Sequence, residues 1–377
     1  MLKICKNGAI IYAFSKRRVE MYKKLFIPGP TEVREEILRA QANPMIGHRS
    51  ADFSALHGGV IEKLRKLFGT NRKAFVFTSS ATGVMEGAIR NTVNRNLISF
   101  INGAFSKRWH EIALRNGKEA DAVQVEWGLA IKPEMVEDAL KKKHYEAVLV
   151  THNETSTGVM NPLGEIAEIL KDHPDTLLLV DAVSSLGGAP IEIDRWEIDV
   201  IFASVQKCFA LPPGITVTFV SDRALEKAKK VENRGYYFDF LTMLKYYEER
   251  KQTPATPAIS LLYALDVQLD KMAEEGMENR FRRHREMAEM AMEWGRKHFE
   301  LFAEPGYESL TVTTIKNTRG ISVAELNAEL AKRGFVISNG YGKLKEKTFR
   351  IGHMGDLTRE DLSELLKNIN EILELER

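Results

Sequence analysis

Three short polar insertions follow apolar runs in this chain, and each carries a residue type that can do chemistry. The first is Thr78-Ser79-Ser80-Ala81-Thr82-Gly83, after Ala74–Phe77 and ahead of a helical stretch expected from about Val84. Small residues and hydroxyls at a helix N-terminus present backbone N–H groups and the positive dipole end to an anion such as phosphate. The second is Asp181, directly after Leu177–Val180, where a carboxylate is costly without a cationic partner. The third is Lys207, beyond Val200–Ala203, whose amine would lose water there and shift toward a nucleophile's pKa. Each has a plain structural reading as well: a capped helix, an N-cap carboxylate before Ser184 and Ser185, and a lysine that snorkels to solvent.

The elements that would carry these insertions read as buried strands. Ala74–Phe77, Leu97–Ile101, Ala147–Val150, Leu177–Val180, Val200–Ala203 and Ile215–Val220 are short apolar runs bounded by turns. Helical periodicity lies between most of them, which predicts a parallel or mixed sheet covered on both faces. The insertions then share the C-terminal edge, where open α/β sheets bind ligands. A phosphate cradle, a carboxylate and a lysine on one edge are what pyridoxal phosphate requires.

From Glu274–Gly276 the pattern changes to a long charged helix through Arg282, Met287 and Trp294, then to strands at Leu310–Ile315, Phe335–Ile337 and Phe349–Ile351. Ser322 and Glu325 are spaced as a capping box, and an amphipathic helix from Leu362 to Leu373 closes the chain.

With these motifs in view, the chain resembles the class V, fold-type I pyridoxal-phosphate aminotransferases, in the alanine–glyoxylate and serine–pyruvate group. The resemblance is carried by FIPGPT (26–31), GHRS (47–50), SSATGVMEGA (79–88), THNETSTGV (151–159), LLLVDAVSSLGG (177–188), SVQKCFALPPG (204–214), TPAISLLYAL (256–265) and FRIGHMG (349–355). It implies a large α/β domain with a mostly parallel sheet over residues 22–275, whose segment 22–36 packs near a smaller α+β domain over 276–377. It also implies pyridoxal 5'-phosphate as cofactor, a small amino acid and a 2-oxo acid as substrates, and a homodimer with shared sites.

Residue by residue, the resemblance makes Lys207 the lysine that bonds the cofactor and shuttles the proton at the substrate Cα. Asp181 would pair with the pyridinium nitrogen. Ser80, Ala81 and Thr82 would hold phosphate with Gln206, Ala81 standing where relatives often have glycine. Phe105 falls where many relatives stack a tryptophan, Val183 would cover the opposite face, and Thr155, or else Ser156, would bond the phenolic oxygen. Thr256 would reach the phosphate of the neighbouring subunit. Arg350 would take the substrate carboxylate, with Gly29 beside the substrate. His48-Arg49 reads either as a brace across a dimer interface or as a binder of a second acid group, which would favour aspartate or phosphoserine. Cys208 is too close to Lys207 to serve as a mobile desulfurase nucleophile.

Composition narrows the rest. Among 377 residues there are 54 basic and 52 acidic side chains, with 44% hydrophobic residues. Residues 1–24 hold seven basic side chains against Glu20 alone, leaving a mildly acidic body with no electrostatic footprint for nucleic acid or membrane. No apolar stretch approaches a membrane span, and two cysteines suit a reducing cytoplasm. The histidines show no metal-binding spacing, so no metal is expected. Residues 1–21, with a basic cluster where a signal cleavage site would stand, read as a loosely held extension.

Overall fold

A computed structural model describes residues 22–375. The expectation for residues 1–21 lies outside them. The larger sheet has seven strands in the spatial order Lys73–Phe77, Thr216–Val220, Val200–Ser204, Leu177–Asp181, Ala147–Thr151, Asn96–Ile101 and Glu119–Gln124. Thr216–Val220 runs antiparallel to both of its neighbours, and the other pairings are parallel.

The apolar runs fill both faces because side chains alternate along a strand. Ile98, Val148, Val180, Ile201 and Phe219 point into one core with helices Ala51–Leu67 and Ile259–Glu275. Leu97, Leu149, Leu179 and Phe202 point into the other, with helix Ala81–Thr92 and Trp109. Edge strand Glu119–Gln124 is largely exposed and has no apolar run to announce it.

A second sheet takes the order Lys24–Phe26, Phe335–Asn339, Thr348–Gly352, Val312–Lys316 and Glu300–Leu301. Its first strand comes from the start of the described chain and pairs parallel with Phe335–Ile337. Helices Met277–His298, Val323–Lys332 and Arg359–Ile372 close over it around Phe26, Trp294, Phe349 and Leu365.

Two local expectations are corrected. The helix after the first insertion begins at Ala81 rather than near Val84, because Ser80 already adopts the extended N-cap conformation. At Ser322 the hydroxyl accepts from Glu325 N, and this is the half of the box that forms. Among the described residues no helix is long and apolar enough to cross a membrane.

Candidate active site

The C-terminal ends of the parallel strands open into a cleft of about 150 Å³. Ser80, Ala81, Thr82, Phe105, Thr155, Asp181, Val183, Gln206 and Lys207 all line it. Each lies at or within a few residues beyond the C-terminal end of a buried strand, so the sheet sets their spacing. Asp181 ends its strand, and Lys207 lies three residues beyond Ser204 in a turn.

Helix Ala81–Thr92 opens on this cleft with no side chain capping it. Ala81 N donates to Ser204 Oγ at 2.7 Å, which fixes the helix start against the central strands. An uncapped N-terminus lined by Ser80 and Thr82 suits a phosphate dianion.

Asp181 is buried, and Lys207 is half-buried at the cleft. Burial pushes the Asp181 carboxyl up to about 7, against the Val183 N–H that it accepts at 2.9 Å, with the Glu154 charge adding to the rise. Burial also lowers the Lys207 amine to about 8, helped by the Arg350 charge. Lys207 Nζ donates to Pro28 O, and Gly29 packs against the lysine stem. A carboxylate with no bonded cation can accept from a protonated ring nitrogen, and an amine of lowered pKa can attack an aldehyde. The residues present therefore fit pyridoxal phosphate.

Arg350 is not among the residues that line the cleft, but its guanidinium is tied to Thr155, which is. Nη1 donates to Thr155 O at 3.2 Å, while Nε and Nη2 donate to Asn339 O. Burial lowers its pKa to about 10, so it stays charged at neutral pH. Thr155 Oγ1 shares a hydrogen bond of 2.5 Å with Ser184 Oγ. Ser156 is no substitute for it, since its hydroxyl donates to Glu154 and accepts from Ala104 N.

Thr256 stands apart. It is exposed, 3.4 Å from His48 Nε2, outside this chain's cleft. Arg49 donates to the carbonyls of Thr253 and Pro254 of its own chain at 2.6 and 2.9 Å, so it braces a loop within one subunit. Cys208 is fully buried with its thiol pushed up to about 12 by burial.

Sequence reading missed two groups. Glu154, fully buried, accepts from Phe105 N, Ser106 N and Ser156 N and from the hydroxyls of Ser106 and Ser156. It thereby holds the start of helix Ala104–Arg115, and with it Phe105. Its place inside THNETSTGV was the available signal. Arg108 lines the cleft, and its Nη2 donates to Tyr341 OH at 3.1 Å. An arginine beside Lys107 on a surface-patterned helix gave no such signal.

The description "Aminotransferase class-V" matches residues 31–364. The chain belongs to this family. Its cofactor is pyridoxal 5'-phosphate. An aminotransferase of Methanocaldococcus jannaschii is 44% identical to this class V aminotransferase over 346 residues, covering 90% of this chain and 89% of the relative. The serine–glyoxylate aminotransferase of Methylorubrum extorquens is 36% identical, covering 90% and 88%. The alanine–glyoxylate aminotransferase from Nostoc sp. superposes with a TM-score of 0.88 at 29% identity, covering 93% of this chain and 95% of that one.

Proposed function

We propose that this class V aminotransferase moves the amino group of a small L-amino acid, alanine or serine, to glyoxylate or pyruvate, in two half-reactions at one site. The observation that carries this reading is the pair of a buried Asp181 and a half-buried Lys207 on one cleft, beside an uncapped helix N-terminus. The names of the Methylorubrum and Nostoc relatives support the substrate range.

When bound, pyridoxal phosphate supplies an electron-withdrawing ring that accepts the electron pair left as the substrate Cα loses its proton. The chain's residues do the rest. Lys207 would hold the cofactor at its aldehyde carbon, and its amine would carry the proton from the substrate Cα. Asp181, ionised by a cationic partner, keeps the ring nitrogen protonated. Ser80, Ala81, Thr82 and Gln206 hold the phosphate, while Phe105 and Val183 flank the ring and Thr155 bonds its phenolic oxygen. Arg350 takes the α-carboxylate with its fork, and Gly29 leaves room beside Lys207.

Exposed Thr256 serves the phosphate of a second copy, which makes the working unit a homodimer, and the low cysteine content fits a cytoplasmic location. In this reading the cofactor-binding domain spans residues 22–275, apart from strand Lys24–Phe26, which joins the sheet of the smaller domain that begins at residue 276.

A cysteine desulfurase would need a mobile thiolate, and Cys208 is neither mobile nor ionised where it lies. Arg49, committed to two loop carbonyls, gives no support to an acidic substrate.

The test is visible absorption of purified protein with added pyridoxal phosphate, beside Lys207→Ala. A yellow band that bleaches with alanine or serine and returns with glyoxylate or pyruvate is expected. No band in the wild type overturns the reading, and a normal band in Lys207→Ala removes the lysine from its role.

A further inference from the structure

Beside Lys207, two guanidinium groups stand near the cleft, and the groups that satisfy them are neutral. Arg350 bonds to the carbonyls of Asn339 and Thr155. Arg108 bonds to Tyr341 OH at 3.1 Å, and its Cζ lies 4.8 Å above the Phe105 ring. Tyr341 stands between the two: its ring centroid is 5.6 Å from Arg350 Cζ and 5.3 Å from the Phe105 centroid.

The charges around the cleft do not balance. Among the described residues lining it, Asp181 is the one carboxylate, and Lys207 and Arg108 act on it through space. Glu154 acts on Arg350 through space, but its oxygens are already bonded to the donors that open helix Ala104–Arg115. Cations held by neutral partners at a cleft wall retain most of their capacity to bind an anion. A guanidinium whose one polar bond among the described residues is to a tyrosine hydroxyl can exchange that bond for a carboxylate with two parallel N–H donors.

We propose that Arg108, positioned by Tyr341 and Phe105, is a second carboxylate-binding residue of this site, so that the site also takes a dicarboxylic amino acid. Arg350 binds the α-carboxylate of such a donor and Arg108 its side-chain carboxylate. The inference rests on the transaminase reading of the site and widens its donor range. It assigns the second acid group to Arg108 on the large-domain helix, not to Arg49.

The experiment uses the holoenzyme and two unreactive probes, succinate with two carboxylates and propionate with one, with binding measured by titration calorimetry. Wild type is expected to bind succinate about tenfold or more tighter than propionate. Arg108→Gln is expected to bring that ratio close to one, and Tyr341→Phe to narrow it. Equal affinities in the wild type overturn the proposal, as does a preference that survives Arg108→Gln. If Arg108→Gln fails to hold cofactor, Arg108→Lys replaces it, keeping the charge without the fork. The ratio must then fall between those of wild type and propionate-like binding, and an unchanged ratio counts against the proposal. A wild-type protein with no cofactor band defeats the transaminase reading instead, so the two failures are distinguishable.

Discussion

A Cβ built on Gly29 would stand 2.5 Å from Lys207 Cδ and 2.8 Å from Lys207 Cε. The glycine also has φ +91°, a conformation that side chains other than glycine's adopt at a cost of about 1–2 kcal/mol. Its neighbour Pro28 accepts the lysine's hydrogen bond, so this turn is moulded around the amine. Gly29→Ala must displace the lysine stem. The variant is expected to stay folded but to lose about tenfold or more in kcat, with a weakened yellow band. Unchanged kcat and an unchanged band would show that the lysine does not depend on this contact.

Asp181 makes the stability of the apoenzyme depend on pH. Its carboxyl sits at about 7 in the native chain against 3.8 in the free residue. Between those values the native state keeps a proton that the unfolded state has lost, so stability falls as pH rises from about 4 to about 7. Asp181→Asn removes this cost. Its apoenzyme should melt higher than wild type at pH 8, by an amount on the order of a few kcal/mol, and match it near pH 4. Added pyridoxal phosphate should reverse the order, because the ionised carboxylate then has a cationic partner. Melting curves across pH check both parts, and an apo Asn variant no more stable at pH 8 contradicts the first.

Lys207 titrates on the other side of neutrality. Burial sets its amine at about 8, and only the neutral amine attacks an aldehyde. Cofactor capture by the apoenzyme should therefore accelerate by about tenfold per pH step below 8 and level off above it. Stopped-flow absorbance follows this directly. A rate still rising up to the ordinary lysine range would mean that the amine is solvated.

These groups differ in how far the sequence exposed them. Leu177–Val180 and Val200–Ala203 are apolar throughout, and a strand buried on both faces has to be, so the sheet and its ligand edge could be read directly. Asp181 and Lys207 stood out because charge is costly at the end of such runs. Glu119–Gln124 did not, since an edge strand needs few apolar residues. Nor did Arg108 and Tyr341, which are joined across 233 positions of chain: one lies on a polar helix, the other in a glycine-flanked loop. Contacts made by folding two sheets together leave no local periodicity.

Arg350 offers a sharper test than simple loss of charge. Its three donating nitrogens are aligned on Thr155 and Asn339 carbonyls, which orients the planar fork. Arg350→Lys keeps a cation but gives up that geometry. KM for the amino donor should rise by about 10–100-fold while the cofactor band stays intact. A KM within about twofold of wild type would remove the arginine from donor binding.

The last relationship lies behind the site. Arg280 is fully buried, and one guanidinium ties together both segments that carry chemistry. Nη2 donates to Cys208 O at 2.6 Å, the carbonyl next to Lys207, and Nε donates to Gly187 O at 3.1 Å, on the turn that follows Asp181. Nη1 meets Glu275 at 2.7 Å and Asp356 at 3.0 Å. Removing one partner of a buried ion cluster leaves the others desolvated and unmatched, which costs about 3–5 kcal/mol. Arg280→Met should therefore lose stability of that order in denaturant titrations. Arg280→Lys should lose less, because the charge remains, yet it cannot reach both carbonyls and both carboxylates at once. If the arginine only stabilises the fold, Arg280→Lys will capture cofactor at the wild-type rate and with the wild-type pH profile. If it also positions the lysine turn, capture will slow and the profile's midpoint will move away from about 8, the value set by burial of Lys207 in its present place.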